Sequence, residues 1–256
     1  MGKRIGNELS TITSSELSSV IYSTLAETIK NPFSREIFLC WVRVAGIRYR
    51  ENIDELIKKM KVGDRVILVR EPENEYDDLA IMIQSEDKEK IGYVPRVNNE
   101  IPARLMDAGM SLCGKISRIK EMEGGEYPWD ALSIDMFWDE GGSGMNRPFS
   151  REVFLGNIPT VDGYRIKNIK RVLCRMKSGD QVLIRRESDN EQDELAVVVL
   201  NRRMRKLGYI PRSNSVILAR LLDAGKHIYG VASKIDYDRD GEGYRNRVFV
   251  DIYMED

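Results

Sequence analysis

Two pairs of adjacent acids are the groups in this chain best suited to do chemistry. Asp77-Asp78 lies in REPENEYDDLAI (Arg70–Ile81), and Asp193-Glu194 lies in RESDNEQDELAV (Arg186–Val197). Paired carboxylates can hold the two ions of a metal-dependent nuclease. No matching Lys or His set accompanies them: the one histidine, His227, follows shortly after Gly225, which ends a helical stretch. Cys40, Cys113 and Cys174 are isolated and odd in number, so neither a zinc site nor a disulfide framework is expected. No GxxxxGK[ST] run is present, which removes a P-loop, and no nucleophile has an identifiable base partner. These residues predict a binding protein without catalytic residues, metal or cofactor.

The totals agree with that class. The chain has 256 residues, 42% hydrophobic and 32% charged, as a water-soluble globular protein does. Its longest apolar runs, such as VVVL at 197–200, are far too short to span a membrane. The start MGKRIGNELST lacks a signal-peptide pattern, so a reducing cytoplasm and no membrane partner are expected. The net charge of −1 hides an asymmetry. Residues 31–140 carry 16 Lys+Arg against 22 Asp+Glu, a balance of −6, whereas 147–256 carry 21 against 16, a balance of +5. The second half is the one with a general attraction for a polyanion.

The acidic phrase occurs twice because most of the chain does. PFSREIFL (32–39) matches PFSREVFL (148–155), GYVPR (92–96) matches GYIPR (208–212), and ARLMDAG (103–109) matches ARLLDAG (219–225). The offset is 116 positions throughout, and about 40 of 110 aligned positions are identical. A unit of that length buries its own core. The expected organisation is an N-terminal segment at 1–30, a first domain at 31–140, a linker at 141–146 and a second domain at 147–256. GGSG (141–144) has linker composition. It fits a duplicated gene or, with Met145 as an old start codon, a fusion of two proteins.

The elements that must position the acids follow from periodicity. Ile37–Val44, Val66–Arg70, Leu79–Gln84, Ile91–Val94, Ser111–Lys120 and Leu132–Trp138 read as strands. Asn52–Met60 and Val97–Ala108 read as helices, the second ended by Gly109 as a left-handed cap. PENEYDD is a loop, and Gly124-Gly125 joins the last two strands. The fold class is mainly β with short helices (α+β): two tandem OB/SH3-like β-barrels, partly open, each of about six strands and two helices. Ahead of them, a capping box at Thr13 and Glu16 opens an amphipathic helix within 11–30, striped with Leu17, Val20, Ile21, Leu25 and Ile29.

GIRYR (46–50), VREPENEYDDLAI (69–81) and GYVPR (92–96), taken together, resemble the HIRAN domain, over nearly all of 37–120 and again over 153–236. That family appears at the N-termini of fork-remodelling helicase-like ATPases and stands alone in bacteria. The resemblance implies an OB/SH3-like barrel that binds DNA, in characterised eukaryotic members the 3′ end of a single strand. By motif position it implies a site of Arg48, Tyr49, Asn74, Tyr76, Asp77, Tyr93 and Arg96. The residue types suit that ligand. Tyr49, Tyr76 and Tyr93 offer faces for bases, and Arg48 and Arg96 offer donors for phosphates. Asp77 repels phosphate but accepts a hydrogen bond from a free 3′-OH. Asn74 and Asp77 equally fit Asx turns that build their own loop, Tyr93 equally fits the edge of the core, and Arg70-Glu71 reads as a structural ion pair.

The second unit departs from the pattern. Gln192 replaces Tyr76, Ser188 replaces Pro72, and GIRYR becomes DGYRI (162–166), which leaves Tyr164 and Arg165 in altered order. Asn190, Asp193, Tyr209 and Arg212 remain. A division of labour follows: the first unit reads a DNA end and the second supplies charge, through RRMRK (202–206) and Arg185-Arg186. Those runs equally fit a solvated face. The competing reading makes the chain a protein-interaction module whose acidic first domain engages a DNA-processing protein.

Overall fold

Alternation of apolar and polar residues starts the first sheet. In β1 (Glu36–Arg43) Ile37, Leu39 and Val42 are buried while Trp41 faces solvent, and a bulge between Phe38 and Cys40 turns Cys40 inward as well. Burial, with Asp135 nearby, pushes the Cys40 thiol up to about 12, so it is an inert core residue. The computed structural model describes residues 36–49, 53–120, 130–140, 152–237 and 246–255, without the side chain of Tyr164. The expected helix within 11–30, the 141–146 linker and Gly124-Gly125 lie outside these residues.

After β1 come a 3₁₀ turn (Ile47–Tyr49), α1 (Ile53–Lys59), β2 (Arg65–Arg70), β3 (Ile81–Gln84), β4 (Lys90–Tyr93), α2 (Arg96–Asp107), β5 (Leu112–Ile119) and β6 (Leu132–Asp139). The second repeat runs β7 (Glu152–Pro159), a 3₁₀ turn (Gly163–Arg165), α3 (Ile169–Leu173), β8 (Gln181–Arg186), β9 (Val197–Asn201), β10 (Lys206–Tyr209), α4 (Arg212–Asp223), β11 (His227–Asp236) and β12 (Arg247–Glu255). Each repeat is one antiparallel six-stranded sheet. The strand orders β1-β6-β5-β2-β3-β4 and β7-β12-β11-β8-β9-β10 are the same topology.

Neither sheet closes into a full barrel. The two edge strands meet through one bridge, Ala45 with Tyr93 in the first repeat and Val161 with Tyr209 in the second. The glycine of each GY-x-PR run makes that approach possible. A Cβ on Gly92 would stand 2.4 Å from the Ala45 carbonyl oxygen, and one on Gly208 would stand 2.7 Å from that of Val161. The partly open barrel read from the sequence is this curled sheet. The expected strands and helices are present within one to two residues, and Gly109 has the left-handed φ of 84° expected of a cap.

The repeats share one contiguous cluster of buried apolar side chains. Helix α2 packs against β7, α4 packs against β1, and the two helices touch. The contact is pseudo-two-fold: the Arg104 guanidinium lies 5.3 Å from the Phe154 ring centre, and that of Arg220 lies 5.5 Å from Phe38. Glu100 sits at this junction and its carboxyl is pushed up by burial, with Arg104 partly offsetting the effect. Helix α2 thus ties the far repeat at Arg104 to the loop of its own repeat at Arg96 and Asn99. No helix among the described residues is long and apolar enough to cross a membrane.

Candidate functional site

The repeated phrase is built from its first residue outward. Arg70 ends β2 with its side chain largely buried, and its guanidinium makes four hydrogen bonds. Two go to the Asp107 carboxylate at 2.8 and 3.0 Å, one to the Ala80 carbonyl at 2.7 Å and one to that of Asp78 at 2.9 Å. It clamps both ends of the loop to the end of α2. Arg186 repeats the arrangement with Asp223, Ala196 and Glu194. The acid that pairs with Arg70 is therefore Asp107, not the expected neighbour Glu71, because successive residues of a strand point to opposite faces. Arg186, a candidate for a phosphate track, is committed to the same structural role.

Glu71 serves a different cluster. Its carboxylate accepts hydrogen bonds from Asn74 Nδ2 at 2.9 Å and from the Tyr93 hydroxyl at 2.9 Å, and that hydroxyl accepts one from Lys90 Nζ. The second repeat matches this with Glu187, Asn190, Tyr209 and Lys206. Partial burial pushes the Glu187 carboxyl up, but hydrogen bonds from Lys206, Tyr209 and Asn190 outweigh it and hold the group at about 2. Asn74 Oδ1 also accepts the Tyr76 backbone N–H at 3.0 Å, as Asn190 does for Gln192 and Asp193. Asn74, Tyr93, Asn190 and Tyr209 thus build the loop that carries the rest.

What that loop presents differs between the repeats. In the first, Tyr76 is 84% exposed. Asp77 Oδ1 accepts the Leu79 N–H at 3.0 Å, and Oδ2 accepts Asn99 Nδ2 at 2.8 Å and Arg96 Nε at 3.4 Å. Arg96 also donates to the Tyr76 carbonyl at 2.5 Å, yet its side chain is 70% exposed. Tyr76, Asp77, Arg96, Asn99 and Glu100 line a shallow cavity of about 600 Å³. Tyr49, 86% exposed, and the exposed Arg48 stand on the 3₁₀ turn and do not line it. Asn99 was missed in the sequence. It is fully buried and polar, and its spacing of three from Arg96 on a helix was the available signal.

In the second repeat Gln192 and Arg212 are exposed and Asp193 is half-buried. Asp193 Oδ1 keeps its bond to the Leu195 N–H at 3.0 Å. Ser215 replaces Asn99 and turns back to the Arg212 carbonyl at 3.4 Å. Among the described residues no ion pair joins Arg212 to Asp193. Arg165 pairs with Asp162 at 3.4 Å. A further exposed aromatic, Trp41, lies beside Arg43, Arg118 and Lys120 around a cavity of about 390 Å³ in the first repeat. Of the paired acids, Asp77 is engaged on both carboxylate oxygens, while Asp78 and Glu194 receive Arg70 and Arg186 through their backbone carbonyls.

The HIRAN domain family model matches residues 37–130 and 164–255, both repeats and well over half of the chain. The chain belongs to the HIRAN domain family. Solved structures similar to parts of this HIRAN protein include a Lactobacillus plantarum protein, structural genomics target LpR91B, at 26% identity over 42% of this chain and 99% of that one, with a TM-score of 0.36. The HIRAN domain of human HLTF follows at 19% identity, covering 40% and 78%, with a TM-score of 0.30. The HLTF HIRAN domain in its DNA-bound conformation shows 21% identity, covering 43% and 83%, with a TM-score of 0.30. No curated protein matches the chain.

Proposed function

We propose that this HIRAN protein binds nucleic acid, that its first repeat takes single-stranded DNA, and that a free 3′-OH end is seated at Asp77. The observation that carries this is Tyr76, 84% exposed beside the Asp77–Arg96 pair. Folding has no use for that ring, since the second repeat builds the same loop with Gln192. An exposed aromatic face stacks a base of any sequence. The guanidinium of Arg96 is mostly exposed and has donors left for a phosphate. Asp77 uses three of the roughly four lone-pair positions of a carboxylate, so one remains for a terminal hydroxyl. A 3′-phosphate would instead place negative charge against it. Family membership supports DNA as the ligand, since the human HLTF HIRAN domain has a DNA-bound conformation.

We read the protein as non-catalytic, because Asp77 and Asp193 accept hydrogen bonds from their own repeat and, among the described residues, no base–nucleophile pair accompanies them. One observation favours the protein-interaction reading: Arg96 already has an acid partner, and the first repeat presents Glu55, Glu86, Asp87 and Glu89. That reading predicts no binding of a single strand at moderate salt. Fluorescence anisotropy with a labelled single-stranded oligodeoxynucleotide tests the proposal. Tyr76→Ala is expected to weaken binding by about 5- to 150-fold, from about 1–3 kcal/mol per stacked base. An unchanged affinity contradicts it.

A further inference from the structure

The second repeat has a cavity of about 540 Å³ in which five arginines meet, and none of its lining residues belongs to the repeated phrase Arg186–Val197. Arg171 and Arg175 come from α3 and the turn after it. Arg202, Arg203 and Arg205 come from the turn between β9 and β10. All five are exposed, and among the described residues none forms an ion pair. Among the described residues their one side-chain partner is Gln181, whose Oε1 accepts from Arg202 at 2.6 Å. A single acid, Asp180, lines the cavity, and its carboxylate accepts the Lys177 N–H at 2.9 Å.

The fold does not require these arginines. Asn201 Oδ1 accepts the N–H groups of Arg203 and Arg205, both at 3.0 Å, and Met204 takes a left-handed φ of 59°. In the first repeat Ser85 Oγ accepts the Glu89 N–H at 3.1 Å, and Lys88 takes a φ of 64°. The turn is the same, but its charges are inverted. Glu86, Asp87 and Glu89 stand where Arg202, Arg203 and Arg205 stand, and Glu55 stands for Arg171. Gathering like charges around one concavity raises the free protein's energy and concentrates an attractive field for anions there. Every cation is an arginine, whose planar fork binds phosphate oxygens bidentately.

We infer that this five-arginine cavity is a seat for the phosphodiester backbone of a nucleic-acid strand, separate from the Tyr76–Asp77 site. The nucleic-acid reading above supplies only the identity of the polyanion. The cavity adds sequence-independent, salt-sensitive affinity and no end selectivity.

The test is anisotropy on the full chain with a labelled single-stranded oligodeoxythymidylate, titrated from low to moderate salt. The variant Arg202→Glu, Arg203→Asp, Arg205→Glu copies the acidic turn that the first repeat already folds. It is expected to bind at least about tenfold more weakly, with the log–log salt slope reduced by about 2, as loss of three single-strand phosphate contacts requires. Arg171→Gln with Arg175→Gln, on a different element, is expected to lower the slope as well. Unchanged affinity and slope in both variants overturn the inference, even if Tyr76→Ala weakens binding. A lowered slope alongside a silent Tyr76→Ala keeps the cavity and removes the end site. Displacement by polyglutamate as readily as by unlabelled oligonucleotide overturns the phosphate assignment. So does loss of a self-associated species instead of DNA binding, which would pair the two opposite patches.

Discussion

The two repeats keep the same residues where the loop is held and differ where it faces outward. Arg70 and Arg186 clamp their loops through the same three partner positions, and the Glu–Tyr–Lys–Asn cluster recurs with one added bond, from Lys206 to Glu187, in the second repeat. The exposed positions diverge: Tyr76 against Gln192, the Arg96–Asp77 pair against an Arg212 that has no ion pair among the described residues, and an acidic β3–β4 turn against an arginine-rich one. The comparison separates residues a HIRAN repeat needs in order to fold from residues free to be spent on a ligand. By that criterion Asn74 and Tyr93 belong to the scaffold, and Tyr76, Arg96 and Tyr49 are open to function.

The comparison breaks most readily at the clamp. Arg70→Ala removes four hydrogen bonds and Arg186→Ala three, each from a largely buried guanidinium, and both leave carbonyls without donors. Each is expected to cost about 2–4 kcal/mol, read from denaturant midpoints. A large loss in one repeat and none in the other would mean that the shared geometry carries unequal weight. Next in size, Gln192→Tyr restores the missing ring to the second repeat. It is expected to tighten single-strand binding by about threefold to tenfold, a fraction of a full stacking contribution because Asp193 lacks its arginine partner. No gain in anisotropy would show that the ring alone does not make the site.

The cluster offers a pH test. Glu187 is held at about 2 in the folded protein, below the roughly 4.3 of an unfolded carboxyl. A depressed folded pKa contributes stability that is complete above the unfolded value and is lost as the pH falls from about 4.3 toward 2. Glu187→Gln should therefore flatten the fall of the denaturation midpoint across that window. An identical acid slope in wild type and variant would remove Glu187 from the account. The smallest effect is expected from Asn99→Ser, which installs the second repeat's residue. It removes one of the two hydrogen bonds that hold Asp77 Oδ2 and costs about 1 kcal/mol of stability, with a loss of 3′-OH preference of about twofold to threefold in the same binding assay.

Most of the fold was legible because it rests on local patterns. The alternation in Ile37–Val44, the helical spacing in Val97–Ala108 and the glycine caps each act within a few residues. The site was legible in part. Tyr76 and Asp77 stand out as residue types within a loop, and their exposure and bonding follow from that loop. Asn99 and the Arg70–Asp107 pair were not legible, because they depend on which end of α2 meets which strand across 22 and 37 positions. The arginine cavity was visible only as the RRMRK run, since Arg171 and Arg175 reach it by folding.

The most direct test of the central claim compares one single-stranded oligodeoxynucleotide ending in a 3′-OH with the same strand ending in a 3′-phosphate, by anisotropy at moderate salt. The account predicts tighter binding of the 3′-OH strand, with the difference abolished by Asp77→Ala and the overall affinity lowered by Tyr76→Ala. Equal binding of both strands, unchanged by either substitution, would contradict it.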